Sequence, residues 1–269
     1  MDKKDISLER KKYLRKLRLD KLYVRLAQFG ILIGFIFGWE FLANKGIIDS
    51  FITSKPSKII STFISMLSEG LLKHIGITCL ETLIGFLLGT IIGTLVASVL
   101  WWSPFLSKVA SPYLIVLNSL PKVALGPIII VWVGAGTPAI ITMALAISLI
   151  VTILEMLNGF TNTDENLIKM LKTFGASRFQ IFSKIVFPAN IPNLINACKV
   201  NIGLCMVGVI TGEFLVSKGG LGYLIVYGGQ VFKLDLVMTS VIILAIVAYA
   251  MYQGILLLGN FIGKKTRWK

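Results

Sequence analysis

The sequence is poor in charge, in histidine and in cysteine. Only 15% of its 269 residues are Asp, Glu, Lys or Arg, where a soluble domain carries roughly 25%. Acids are the scarcer sign, 13 against 27 bases. One histidine, His74, cannot assemble a metal site, and no close Ser–His or paired-acid motif supports an intramembrane enzyme. The three cysteines, Cys79, Cys198 and Cys205, lie in or beside apolar segments without a CxxC pair, so neither a disulfide nor zinc is indicated. What is abundant is apolar: 55% of residues, with a mean hydropathy of +0.82. That excess is too large for one packed core. A secreted disulfide scaffold, a nucleic-acid module and an ordinary cytosolic enzyme are excluded. The net charge of +14 would suit nucleic acid in a soluble protein, but here the bases flank apolar runs.

Those runs are long. Residues 236–262 hold no Asp, Glu, Lys or Arg, and residues 79–102 hold one, Glu81. The sequence predicts an all-α, polytopic membrane protein with six transmembrane helices, at about residues 22–43, 79–102, 113–133, 138–160, 194–216 and 236–262. Each approaches the ~20 residues that cross ~30 Å of hydrocarbon. Barrel strands would be about 10 residues long and alternate in polarity. Residues 1–21 form a basic leader and residues 22–269 the transmembrane domain. The first run reads as a retained helix, since no small-residue cleavage site follows it.

Orientation follows from the bases. On the side shared by the two termini lie 19 of the 27 Lys and Arg; 6 lie on the other side, and Lys122 and Lys199 fall within spans. The positive-inside rule puts both termini in the cytoplasm of a cell-membrane protein. The leader is a topology signal that can also lie on anionic lipid. Two spans carry glycine at every fourth position: Gly30, Gly34 and Gly38, then Gly85, Gly89 and Gly93. Such stripes admit a close helix, either within the subunit or from a second copy.

One cytoplasmic segment, residues 161–193, is too polar for the membrane. Asn162-Thr163-Asp164-Glu165 reads as a helix start. Leu167, Met170, Leu171 and Phe174 follow at i, i+3, i+4 and i+7, a one-sided apolar stripe. Gly175 stands where a helix C-cap glycine belongs. Ser177 can cap a second short helix over residues 178–187, with Phe179 and Phe182 among its apolar residues, and Pro188 ends it. The pattern predicts a helix–Gly–helix elbow, which could lie on headgroups or dock a soluble partner.

Residues 169–181 (Lys-Met-Leu-Lys-Thr-Phe-Gly-Ala-Ser-Arg-Phe-Gln-Ile) and 186–192 (Val-Phe-Pro-Ala-Asn-Ile-Pro) resemble the cytoplasmic "EAA" loop of ABC importer permeases. Gly175, the Gly-Ala-Ser run, Ile185, Pro188 and Pro192 keep the family pattern. Lys169, Met170 and Leu171 replace its Glu-Ala-Ala. Further stretches are similar to the branch that imports nitrate, sulfonates, taurine or thiamine-precursor pyrimidines. They are Trp39-Glu40, Pro56-Ser57, His74, Glu81 with Gly85-Phe86, Leu120-Pro121-Lys122 through Pro127, Trp132 through Gly136, Gly219 through Tyr223, and Arg267-Trp268.

The resemblance implies an ABC type I importer permease fold and the import of a small, anionic solute. It implies two copies of the chain in membrane lipid, cytosolic ATPase subunits and an extracytoplasmic solute-binding protein. Leu167, Lys169, Met170, Leu171, Phe174 and Gly175 would then form an ATPase-coupling loop with Ala176, Ser177, Phe179, Phe182 and Pro188. No cofactor is expected on this chain, and ATP would be used by the partner. Residues 259–266 mimic a Walker A loop, but three residues instead of four separate the glycines and Lys265 takes the Ser/Thr position. Other readings are an ion-coupled secondary transporter and an ABC permease for a thiamine-precursor pyrimidine.

Charges inside apolar spans need an explanation. Glu40, Glu81 and Glu155 lie near span ends, which suits an interface. Lys199 can snorkel from the cytoplasmic start of its span. Lys122 lies deeper, beside Pro121, where a broken helix would suit an anion path. Asn118, Lys122, Lys199 and Glu213 are the candidate path residues, with a Lys122–Glu213 ion pair as the alternative.

Overall fold

The computed structural model describes residues 8–265. The first seven residues of the leader and the Arg267-Trp268 pair lie outside the described residues. Helix α1 (Leu8–Asn44) runs without interruption from the basic leader into the first span. Two short helices follow, α2 (Ser50–Thr53), capped by Asp49, and α3 (Pro56–Ser68), which starts on proline. Glu40 of α1 accepts the Ser57 N–H at 3.0 Å and its hydroxyl at 2.9 Å, joining the two helices. Then come α4 (Leu71–Trp102), α5 (Pro104–Ser119), α6 (Gly126–Val133) and α7 (Thr137–Thr161).

Among the described residues, five helices are long and apolar enough to cross a membrane. The span expected over residues 113–133 is broken beside Pro121 and starts earlier, as a pair, Pro104–Ser119 and Lys122–Val133, bent by 87°. The cause is local. Leu120 precedes a proline and is extended, with φ −65° and ψ 140°, and Pro121 offers no N–H to continue the ladder. A 3-10 turn, Lys122–Leu125, bridges to α6. Taken as one broken crossing, the pair makes the sixth span.

The elbow comprises α8 (Glu165–Thr173) and α9 (Arg178–Ile181), a π-helical turn, Phe182–Val186, and α10 (Phe187–Ala189). The second helix expected over residues 178–187 is therefore not regular: its middle widens into a π turn. After it come α11 (Ile191–Val216), α12 (Leu221–Gln230) and α13 (Leu234–Lys265).

Contacts orient α4 and α13. The end of α4 meets the elbow where Trp101 and Trp102 lie against Phe182. The start of α4 meets the start of α12, where Thr78 bonds Leu221. Near the end of α13, Gly259 presses on Ile195 of α11, just beyond the elbow. The later part of α13 thus lies on the elbow's side, which the bases place in the cytoplasm.

The core is α7 gripped between α4 and α11. A Cβ on Gly85 would stand 2.7 Å from Ala144 Cβ, and one on Gly208 only 2.6 Å from Ala144 Cα. Gly93 meets Thr152 and Gly212 meets Ile140 in the same way. The glycine stripe of α4 therefore serves packing within the subunit. That of α1 has open space around it: nothing lies within 4 Å of a Cβ at Gly30, Gly34 or Gly38.

Candidate functional site

The elbow is built by local chemistry. Asp164 caps α8 by accepting the Asn166 N–H at 2.8 Å. Lys169 sits 2.9 Å from Glu165, one turn back; this hydrogen bond holds the Glu165 carboxyl below the usual carboxylate range. At the other end Gly175 has φ +75°. Its N–H donates to Lys172 O at 3.0 Å and the Ala176 N–H donates to Leu171 O at 3.1 Å. That is a Schellman turn, which needs the left-handed residue glycine supplies. Ser177 then opens α9 with a capping box: Gln180 N–H donates to Ser177 Oγ at 3.3 Å, and Ser177 N–H to Gln180 Oε1 at 2.7 Å.

The expected stripe divides. Leu167, Met170 and Phe174 are 41%, 50% and 80% exposed. Leu171 and Ala176 turn inward to the core under the elbow, with Phe182. Phe179 is exposed at the edge, beside Trp102. Phe182 fills a socket of Trp101, Trp102, Phe160 and Phe187, with ring centroids 5.0–6.0 Å away. Arg178 lies over Trp101. Pro188 sits in α10, at the return to the membrane. An apolar, solvent-facing rim on a firmly seated base is what an interaction surface requires.

The candidate path residues do not converge. Lys122 donates to Asn118 O at 3.0 Å and Oδ1 at 3.3 Å, both at the break between α5 and α6. Lys199 donates to Asn196 Oδ1 near the cytoplasmic start of α11. Glu213 is 1% exposed at the far end of α11. It accepts the Thr78 hydroxyl and the Gly222 N–H, each at 2.6 Å, so it does not pair with Lys122. Thr78 in turn accepts the Leu221 N–H at 2.8 Å, and His74 Nδ1 accepts the Gly220 N–H at 3.1 Å. Three side chains from α4 and α11 thereby cap the first N–H groups of α12.

Glu81, expected at an interface, is instead 2% exposed, and its Oε2 has no hydrogen-bond partner. The gripping of α7 by α4 on this side brings it inside.

A bundle of apolar helices of membrane-crossing length, with an elbow on its cytoplasmic face, defines a polytopic membrane protein. Residues 85–268 match the family described as "Binding-protein-dependent transport system inner membrane component", and the chain belongs to it. It is a multi-pass protein of the cytoplasmic membrane, and its family works with ATPase and binding-protein partners. A Haemophilus influenzae protein named "Probable ABC transporter permease protein" is 27% identical over 217 residues, covering 81% of this chain and 88% of that one. A protein of Escherichia coli K12, named for aliphatic sulfonates transport (permease protein SsuC), is 25% identical over 227 residues, 84% and 86% of the two chains. Among solved structures, an inward-facing MetNI methionine ABC transporter superposes with a TM-score of 0.63 at 22% identity, over 74% of this chain and 96% of that one. That likeness shows the fold.

Proposed function

We propose that this chain forms, with a second copy of itself in the lipid bilayer, the translocating unit of an ATP-driven importer for a small anionic solute. Cytosolic ATPase subunits bind the elbow and use the ATP. An extracytoplasmic binding protein delivers the solute. The observation that carries the reading is the elbow. Leu167, Met170 and Phe174 offer an apolar face to the cytoplasm, as an amphipathic helix offers one to a groove. The open glycine stripe of α1 is a place where a second copy could approach.

Anion transport is supported by Lys122 at the break and by the sulfonate permease among the relatives. One observation favours a second solute class, an amino-pyrimidine. Glu81 is among the residues that line a cavity with Thr137 and Ser217, and a carboxyl there could accept an N–H.

The test is uptake by cells carrying the whole transporter, with an aliphatic sulfonate, nitrate and an amino-pyrimidine offered separately. Uptake should stop when the ATPase is disabled. Uptake that continues on an intact ion gradient would point to a secondary transporter instead.

A further inference from the structure

The tip of the elbow is free and its foot is fixed. Nothing lies within 4 Å of a Cβ at Gly175. The foot is closed around Asn190, which is 4% exposed between α10 and α11. Its Nδ2 donates to Thr163 Oγ1 at 2.9 Å and to Val186 O at 2.8 Å. Its Oδ1 accepts the Asn193 amide at 2.7 Å. Thr163 lies between α7 and α8, and its hydroxyl donates to Gly159 O at 3.3 Å. Gly159 leaves no clearance: a Cβ there would stand 2.5 Å from Asn190 Oδ1 and 2.7 Å from Asn193 Nδ2.

One buried side chain therefore ties three segments: the exit from α7, the π turn and the entry to α11. These bonds are directional, and burial strengthens them. The socket around Phe182 makes aromatic contacts, which permit more sliding. A tilt of α8 would load the Asn190 bonds through Thr163. Beyond the foot, α7 and α11 are in near-backbone contact at Ala144 and Gly208. The far end of α11 holds Glu213 and, through it, α12.

We propose that Asn190 is a positioning residue of the transport cycle, converting a push on the elbow into joint movement of α7 and α11. It touches neither solute nor ATPase. The proposal rests on the elbow's being the ATPase contact.

The test uses the purified permease–ATPase complex, with the native cysteines replaced by alanine and Lys218→Cys at the outer surface. The rate of maleimide labelling is compared without nucleotide and with ATP plus vanadate. The unsubstituted foot should show a nucleotide-dependent change in rate. Asn190→Ala should keep the ATPase bound and hydrolysing while the change shrinks by roughly tenfold. Thr163→Ser, which keeps the hydroxyl, should behave as the parent, and Thr163→Val should lose part of the change. A normal change in Asn190→Ala overturns the proposal. Loss of the ATPase together with the change also overturns it, because Asn190 would then only hold the elbow's shape. If Asn190→Ala does not accumulate, equal behaviour of Thr163→Ser and Thr163→Val overturns it. Failure of the parent chain to bind any ATPase would instead sink the importer reading itself.

Discussion

Glu213 accepts the Thr78 hydroxyl at 2.6 Å across 135 positions of chain. The bond joins the far end of α11 to the first turns of α4. The other carboxylate oxygen holds the Gly222 N–H at 2.6 Å. Hydrogen bonds of this kind contribute about 0.5–1.5 kcal/mol each, and losing the acceptor strands buried donors at a further cost of about 1–3 kcal/mol. Glu213→Ala should lower the thermal stability of the detergent-purified protein, and proteolysis should begin in the α12 region. Unchanged melting would mean the clamp contributes nothing to stability.

At Gly175, φ is +75°. A β-branched residue is strained there by roughly 1–3 kcal/mol, and both elbow helices would be re-aimed. Gly175→Val should insert normally, co-purify less ATPase and abolish uptake. Lys169→Ala should be milder, since its ion pair with Glu165 is exposed on both sides. Co-purification and uptake measured on both variants decide the matter. Full association for Gly175→Val would return the elbow to a lipid-surface role.

The two glycine stripes should respond in opposite ways to added methyl groups. On α4, Gly85→Ala places a Cβ 2.7 Å from Ala144 Cβ, and overpacking of this kind costs about 1–3 kcal/mol. Gly30→Ala meets open space and should change stability by less than about 0.5 kcal/mol. Melting of the two purified variants, side by side, tests the contrast. Any loss confined to the oligomer of Gly30→Ala would mark α1 as a contact between copies.

Lys122 is held by Asn118 at the 87° break. If it borders the solute route, Lys122→Met should reduce uptake while the amount of bound ATPase stays level. Kinetics equal to the parent's would leave the lysine with the structural task of closing the turn after Asn118.

What could be read from the sequence was what is encoded locally. The caps at Asp164, Gly175 and Ser177 each need only residues within a few positions, and all three are in place. Pro121 announced a break, but its angle depends on how α6 packs on α7. The Glu213 clamp was invisible, because its partners Thr78 and Gly222 belong to separate helices. Glu81 was misplaced for the same reason: span position alone cannot tell an interface from an interior. Asn190 carried one faint signal, an amide enclosed by Pro188 and Pro192 in a tight return to the membrane. The π turn over residues 182–186 was not read from the sequence.

The socket around Phe182 has an optical consequence. Two of the five tryptophans, Trp101 and Trp102, lie against Phe182, with Arg178 over one of them. Trp39 and Trp132 belong to α1 and α6, away from this aromatic cluster. Indole emission shifts with the polarity and charge around the ring, so part of the protein's natural fluorescence originates at the elbow's seat. The chain carries its own lamp at the place where a cytoplasmic partner would press, and replacing Trp39 and Trp132 with phenylalanine would leave that lamp burning against a darker background.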